Sequence, residues 1–392
     1  MDNISFNITD WNDLEVNYDE DSEPQDVDNE YLIEIYGRIQ NDKSVYLRVL
    51  NYTPFFYVEV PKLWKSSHID KFIKYIKNKV YYKYKDGLIA YDTVKRKKLY
   101  GFRAGKRYKF VRLVFQNVTS MKKYQYMFYN KHKIIGLDNK YRSYDLYESN
   151  IPPMLRFMHI QDISACGWVE IKKSKYTKLS NDDFNTDINI EAKWTDITSM
   201  EDEEVSKSIS PLKILSFDIE CTSGDGNFPQ PTRKDDKVIQ IGSTFSRNGS
   251  EECYYKHIIT LGSCDPIEGA DVESYETEQE VLLAWQKLVL REDPDIMTGY
   301  NIFGFDERYL YERSKLLGVS DEFSELGRKK DKCSKFVEKK LSSSALGDNM
   351  LRYYDAEGRV QIDLMKVVQR DYKLSSYKLD SVAEHFLTSK VI

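Results

Sequence analysis

Cysteine is scarce in this chain of 392 residues. There are five, at Cys166, Cys221, Cys253, Cys264 and Cys333, scattered and odd in number. No Cys-x-x-Cys occurs, which argues against a zinc site and against a disulfide framework. Histidine is equally rare. His68, His132, His159, His257 and His385 lie too far apart for ligand spacing, so packing or surface roles suit them better. Apolar runs are short, and none reaches the eighteen residues that would suggest a membrane span. The N-terminus, MDNISFNITDWNDLEV, is acidic and polar, unlike a secretory signal. No internal repeat is visible. These absences predict a soluble, reduced, intracellular protein, long enough for two or three domains.

Acid is missing from one block. Residues 61–140 hold 22 Lys and Arg, four Asp and no Glu, a formal charge of +18. With a net charge of -5 for the whole chain, the remainder sums to -23. Many of the 30 tyrosines also fall in this block. Lysine and arginine neutralise phosphates, and tyrosine rings stack on unpaired bases, so the composition suits a nucleic-acid contact. The plainer alternative is a solvated basic face with tyrosines in the core beneath it. The charge excess favours the first reading, and most of the individual tyrosines the second. The runs VKRKK (94–98) and RAGKRYKF (103–110) make Lys95, Arg96, Lys97, Lys98, Arg103, Lys106 and Arg107 the candidate contacts.

Residues 1–30 are acidic and weakly periodic and read as a frayed tail. From Tyr31, strand-like runs such as YLIEIYGRI, SVYLRVLNY, PFFYVEV and FVRLVFQNV dominate, with one helical stretch, SSHIDKFIKYIKN. Residues 31–210 therefore read as a β-rich α+β N-terminal domain, ending in a polar, acidic linker over 180–210. From 211 to 392, strands LKILSFDIE, VIQIGSTFS and CYYKHIITL precede a helix, TEQEVLLAWQKLVLR, that Thr277 and Glu280 would cap. A strand at PDIMTGYN and a helix ending at Gly318 follow, which makes a second, mixed α/β domain. The charged, Ser-rich stretch 320–350 reads as an insertion.

Asp218 and Glu220 close the apolar run LKILSFDIE. In a strand, residues two apart share a face, so the carboxylates are neighbours that repel unless a proton or cation lies between them. A divalent metal is the usual partner of such oxygen clusters. The pattern alone is weak. Asp13/Glu15, Asp21/Glu23, Asp28/Glu30, Asp202/Glu204, Asp271/Glu273 and Asp355/Glu357 share it, but in polar surroundings. A strand end reaching solvent is the competing reading. Asp306, in TGYNIFGFDERYL, falls in the first turn of a helix. An acid there is favoured by the helix dipole alone, or else it is a third carboxylate delivered to the pair.

FDIE followed by GYNIFGFDERYL resembles the first two exonuclease motifs of the family B DNA polymerases, most closely the eukaryotic delta type and large-DNA-virus relatives. YESNIPPMLRFMHIQDISACGWVEI, VIQIG, DPDIMTGYNI and GRVQIDLMKVVQRDYKLSSYKLDSVAEHFL are similar to family segments in family order. The resemblance spans residues 30–392 and is most specific from Tyr147 on. It implies a ribonuclease H-like 3′–5′ exonuclease domain, a proofreading role in DNA replication and two Mg²⁺ or Mn²⁺ ions. Asp218 would hold both metals, Glu220 one of them, and Asp306 the second; Asn301 would position the strand end and Phe305 pack on a base. It also implies DNA as partner, a polymerase portion, a sliding clamp and a nuclear or viral replication site. The family's third motif, Tyr-x-x-x-Asp, has no match after Asp306. Tyr82/Asp86 and Tyr141/Asp145 fit but lie upstream, and Tyr377/Asp380 has the wrong spacing. Asp363 precedes the motif's place and is more simply a helix cap than a fourth ligand. The palm motifs are absent from these residues. The expectation is therefore an N-terminal portion with weak exonuclease activity and no primer extension of its own. The alternative is a non-catalytic DNA-binding fragment or subunit whose site a second chain completes.

Overall fold

The structure is a computed structural model and describes residues 3–16, 29–99, 101, 104–200, 202–343 and 347–387. Arg103 and residues 17–28 of the acidic N-terminal stretch lie outside them.

The strand Lys213–Cys221 shows how the C-terminal half is built. Leu215, Phe217 and Ile219 are buried, while Asp218 and Glu220, on either side of Ile219, are exposed. The apolar set therefore faces a core and the carboxylates face out, as the two-residue period of a strand requires. This strand is central in a six-stranded sheet, in the order Asp271–Tyr275, Cys253–Leu261, Val238–Arg247, Lys213–Cys221, Ile296–Gly299, Val360–Asp363. It pairs antiparallel with Val238–Arg247 and parallel with Ile296–Gly299. The helix Glu278–Glu292 covers the sheet and starts in the capping box expected at Thr277 and Glu280. Trp285 packs on Phe217 from this helix, with ring centroids 5.0 Å apart. The helix Asp306–Leu316 ends at Gly318, whose φ of 74° suits a residue without Cβ. The result is the mixed α/β exonuclease-type domain that the resemblance implies. The strands Lys335–Ser343 and Gly347–Asp355 pair antiparallel, and their Phe336 and Tyr354 pack against its core.

The N-terminal half holds two further cores. One lies under a seven-stranded sheet, and it corrects two expectations. The strand Ile4–Val16 sits inside this sheet, between Glu30–Arg38 and Trp168–Ile171, so residues 4–16 are not a frayed tail. A register shift between Ile8 and Asp10 hides its period: Phe6 and Ile8 are buried, and beyond the shift Trp11 packs against the same core. Nor is 180–210 a linker. Ile188–Lys193 pairs in parallel with Ser44–Leu50, burying Ile190 and Ala192, and Ile197–Ser199 forms one edge. The partner strand lies more than 130 residues away, so local polarity concealed the pairing.

The basic block builds the other core. Apart from the separate strand pair His132–Ile134 and Asp138–Arg142, the order Phe55–Val60, Ser66–Lys79, Leu88–Lys97, Arg107–Phe115, Val118–Met127, Leu146–Tyr147 is strand-helix-strand-strand-helix-strand. Its sheet order, Leu88–Lys97 next to Arg107–Phe115, then Phe55–Val60, then Leu146–Tyr147, is that of a split βαβ unit. Both helices pack on one face.

A buried ion cluster joins the seven-stranded sheet to the six-stranded one. Arg38, at the end of Glu30–Arg38, donates through Nε to Asp295 at 2.5 Å and through Nη2 to the Asp293 carbonyl at 3.0 Å. Arg328 spans the same two aspartates at 2.9 and 2.7 Å, and Arg359 reaches Asp293 at 2.8 Å.

Candidate active site

Asp306 reaches the carboxylate pair because its neighbouring strand is short. Ile296–Gly299 runs parallel to Lys213–Cys221 but pairs with it only as far as Ser216. Gly299 then passes against the Phe217 carbonyl; a Cβ there would lie 2.6 Å from that oxygen. The chain turns through residues 300–305, and Asp306 opens the next helix. Its Oδ1 accepts the Ile219 N–H at 3.2 Å, a group the short neighbour leaves without a strand partner. The third carboxylate is thus anchored to the backbone between Asp218 and Glu220.

The turn itself is held by Asp363. Its Oδ1 accepts the N–H groups of Asn301 and Met365, both at 2.9 Å, and its Oδ2 accepts that of Phe303 at 3.2 Å. Asp363 is buried and caps the helix Leu364–Asp371. All its described partners are backbone amides, which fits the capping role. Asn301 sits at φ 62°, in the left-handed region, and its carbonyl accepts from Gly304 and Phe305. Its side chain lies against Gly304, where a Cβ would be 2.3 Å from Oδ1.

The electrostatics are strained. Burial, then the Glu220 charge, pushes the Asp218 carboxyl up. Asp306 is 2 % exposed, and burial followed by the Asp218 charge pushes it up to about 7. Burial pushes the adjacent Glu307 up to about 8, with Asp306 opposing its ionisation as well. None of Asp218, Glu220 and Asp306 is in an ion pair with a described residue. Three oxygen donors with uncompensated charge match what a hard divalent cation takes. Among the described residues, no three acidic, His or Cys side chains converge into a finished metal cage as the side chains stand. The donor chemistry alone therefore fits the ion.

Phe305 is half-buried. It packs on Tyr309 at 5.2 Å and meets Phe228 edge-on at 5.5 Å. Phe228 is 69 % exposed. The sequence reading missed it; its only signal was a lone aromatic in the polar loop DGNFPQPTRKDD. The basic candidates lie apart from the carboxylates. Lys95, Arg96 and Lys97 are exposed on one strand and pair with Lys109, Tyr108 and Arg107 on the next. Lys106 precedes Arg107 and lies over the Tyr108 ring. Lys98 differs: it is bound to Glu59 at 2.6 Å and lies over the Tyr108 ring at 4.3 Å.

Residues 144–382 match the family model for the exonuclease domain of DNA polymerase family B. The chain is 38% identical to a DNA polymerase of Acanthamoeba polyphaga mimivirus, over 99% of this chain and 26% of that protein. It is 34% identical to the DNA polymerase delta catalytic subunit of Arabidopsis thaliana, over 92% of this chain and 33% of that one. The chain thus spans a quarter to a third of the length of these relatives. In three dimensions it is similar to the family B DNA polymerase from the archaeon Pyrobaculum calidifontis, with a TM-score of 0.61 and 20% identity, over 98% of this chain and 39% of the other. The matched residues contain Asp218, Glu220 and Asp306, and the chain belongs to DNA polymerase family B, carrying its exonuclease domain.

Proposed function

We propose that this chain carries a metal-dependent 3′–5′ exonuclease that acts on the single-stranded 3′ end of DNA, in proofreading during replication. The observation that supports it most is Asp306, a buried carboxylate tied to the Ile219 N–H beside Asp218 and Glu220. Asp218, Glu220 and Asp306 would hold Mg²⁺ or Mn²⁺. Bound as a pair, such ions supply charge neutralisation for in-line displacement at phosphorus. The chain's own residues do the rest. Below about pH 7 Asp306 keeps a proton and the donor set loses one charge; above it this carboxylate is ionised. Phe305 and Phe228 offer ring faces to a terminal base, and Asn301 would position the strand end. The strand pair with Lys95, Arg96, Lys97, Lys106 and Arg107 is proposed to contact the template phosphates. Arg103 belongs to the same proposal from sequence alone, and Lys98 takes part less directly because Glu59 neutralises it. A polymerase portion and a sliding clamp are the proposed partners, at a nuclear or viral replication site.

A second reading rests on the side chains as they stand, since among the described residues no three acidic, His or Cys groups converge as a metal cage. In that reading the chain binds DNA, and another segment completes the cleavage site. Incubation of 5′-labelled single-stranded DNA with Mg²⁺ or Mn²⁺ tests the proposal. Slow, metal-dependent shortening from the 3′ end, lost in Asp218→Ala, is expected. No shortening with any metal supports the second reading. Shortening that survives Asp218→Ala overturns the site.

A further inference from the structure

The basic subdomain has a cleft that neither the exonuclease site nor the Lys95–Lys97 strand uses. It measures about 550 Å³ and lies between the C-terminal ends of the helices Ser66–Lys79 and Val118–Met127 and the short strand His132–Ile134. Its cations are Lys79, Lys123, Lys131 and Lys133, all exposed. No acid lines it. Other clefts on this subdomain contain acids: Glu59 and Asp145 in one, Glu148 in another. None of the four lysines is in an ion pair with a described residue. The two helix C-termini each contribute about half a negative charge, which suits Lys79 and falls short of balancing four ammonium groups. The cleft therefore concentrates unneutralised positive charge.

Between the lysines stand tyrosines turned to solvent. Tyr81 is 57 % exposed, Tyr126 62 % and Tyr141 71 %. Large ring faces held in water beside cations lose hydrophobic stabilisation unless something covers them. A free anion would neutralise the lysines but leave the rings bare. A duplex offers phosphates without free base faces. A single strand offers both, because its phosphates are regularly spaced and its unpaired bases stack on aromatic rings.

We propose that this cleft binds single-stranded nucleic acid, with Lys79, Lys123, Lys131 and Lys133 on phosphates and Tyr81, Tyr126 and Tyr141 against bases. The site stands whether or not the exonuclease reading holds, since it shares no residue with Asp218, Glu220 or Asp306. Its place would be that of an accessory hold on a strand away from the cleavage site.

Anisotropy titration of the full chain with a labelled 15-nucleotide dT oligomer, over a series of salt concentrations, tests it. In Lys123→Gln/Lys131→Gln/Lys133→Gln the slope of log affinity against log salt should fall by about 2, from about 0.7 per phosphate contact on a single strand. Tyr126→Ala/Tyr141→Ala should weaken binding at least about five-fold with its slope unchanged. All five side chains are exposed, and matching circular dichroism confirms that the variants fold. Lys95→Gln/Arg96→Gln/Lys97→Gln separates the two surfaces. An unchanged slope in the cleft lysine variant, with all loss in the strand variant, overturns the proposal. So does a poly-glutamate peptide that competes equally well while the tyrosine variant binds dT like wild type, since the cleft would then fit an acidic peptide. An rU oligomer of the same length shows whether DNA or RNA is held better; weaker binding than duplex in both overturns the single-strand assignment.

Discussion

Replacing Asp306 with asparagine should stabilise the metal-free protein, and only at neutral and alkaline pH. An ordinary Asp titrates near 3.8, and in the folded chain Asp306 is pushed up to about 7, first by burial and then by Asp218. The folded state therefore binds this proton more tightly than the unfolded state. Its stabilising contribution is complete below about pH 4 and is lost as pH rises through about 7. A shift of about three units at about 1.4 kcal/mol each makes the ionised carboxylate cost about 4 kcal/mol above pH 7. Asp306→Asn cannot ionise, yet its amide oxygen can still accept the Ile219 N–H. With EDTA present, the variant should exceed wild type by about 2–4 kcal/mol at pH 8 and match it near pH 4. Urea unfolding followed by tryptophan fluorescence reads this, because Trp285 is the one tryptophan after residue 211 and lies in the affected core. Divalent cation should then narrow the gap, since binding at a hundredfold excess over Kd adds about 2.7 kcal/mol to wild type alone. A variant no more stable than wild type at pH 8 in EDTA would refute the reasoning, as would an equal change at pH 4 and pH 8.

Asp363→Ala should destabilise by about 3 kcal/mol or more, because three backbone N–H groups lose their acceptor, and it should impair cleavage by loosening the turn that carries Asp306. Denaturant midpoints check the first effect, and a cleavage assay on the folded variant checks the second. Arg328→Met leaves Asp293 and Asp295 short of a buried partner and should cost about 3–5 kcal/mol, read as a lowered denaturation midpoint. Metal binding should weaken as pH falls through about 7, where Asp306 takes up its proton; calorimetry in buffers of different ionisation enthalpy should show proton release on binding near that pH.

The candidate carboxylates were more legible in the sequence than the N-terminal fold. Asp218 and Glu220 stand out because Leu215, Phe217 and Ile219 surround them with a clean two-residue period, and the structure keeps that alternation. The capping box at Thr277 and the stop at Gly318 are local signals, and both elements form where those signals put them. Ile4–Val16 and Ile188–Lys193 were not legible. The first is bulged after Ile8, so its apolar positions change parity, and the second is fixed by a partner strand far away in sequence. The tie between Asp306 and the Ile219 N–H was hidden for a related reason. It depends on where a neighbouring strand stops, and no local pattern records that. The buried cluster of Arg38, Arg328 and Arg359 with Asp293 and Asp295 also joins distant segments, each of which reads singly as ordinary surface charge.

The most direct test of the central claim is Mn²⁺ binding, followed by electron paramagnetic resonance at pH 7.5 in wild type, Asp218→Ala, Glu220→Ala and Asp306→Asn. The account predicts saturable binding by wild type that weakens at least tenfold in each variant while the folded signal is kept. Absence of binding by wild type, or binding that survives all three substitutions unchanged, would contradict it.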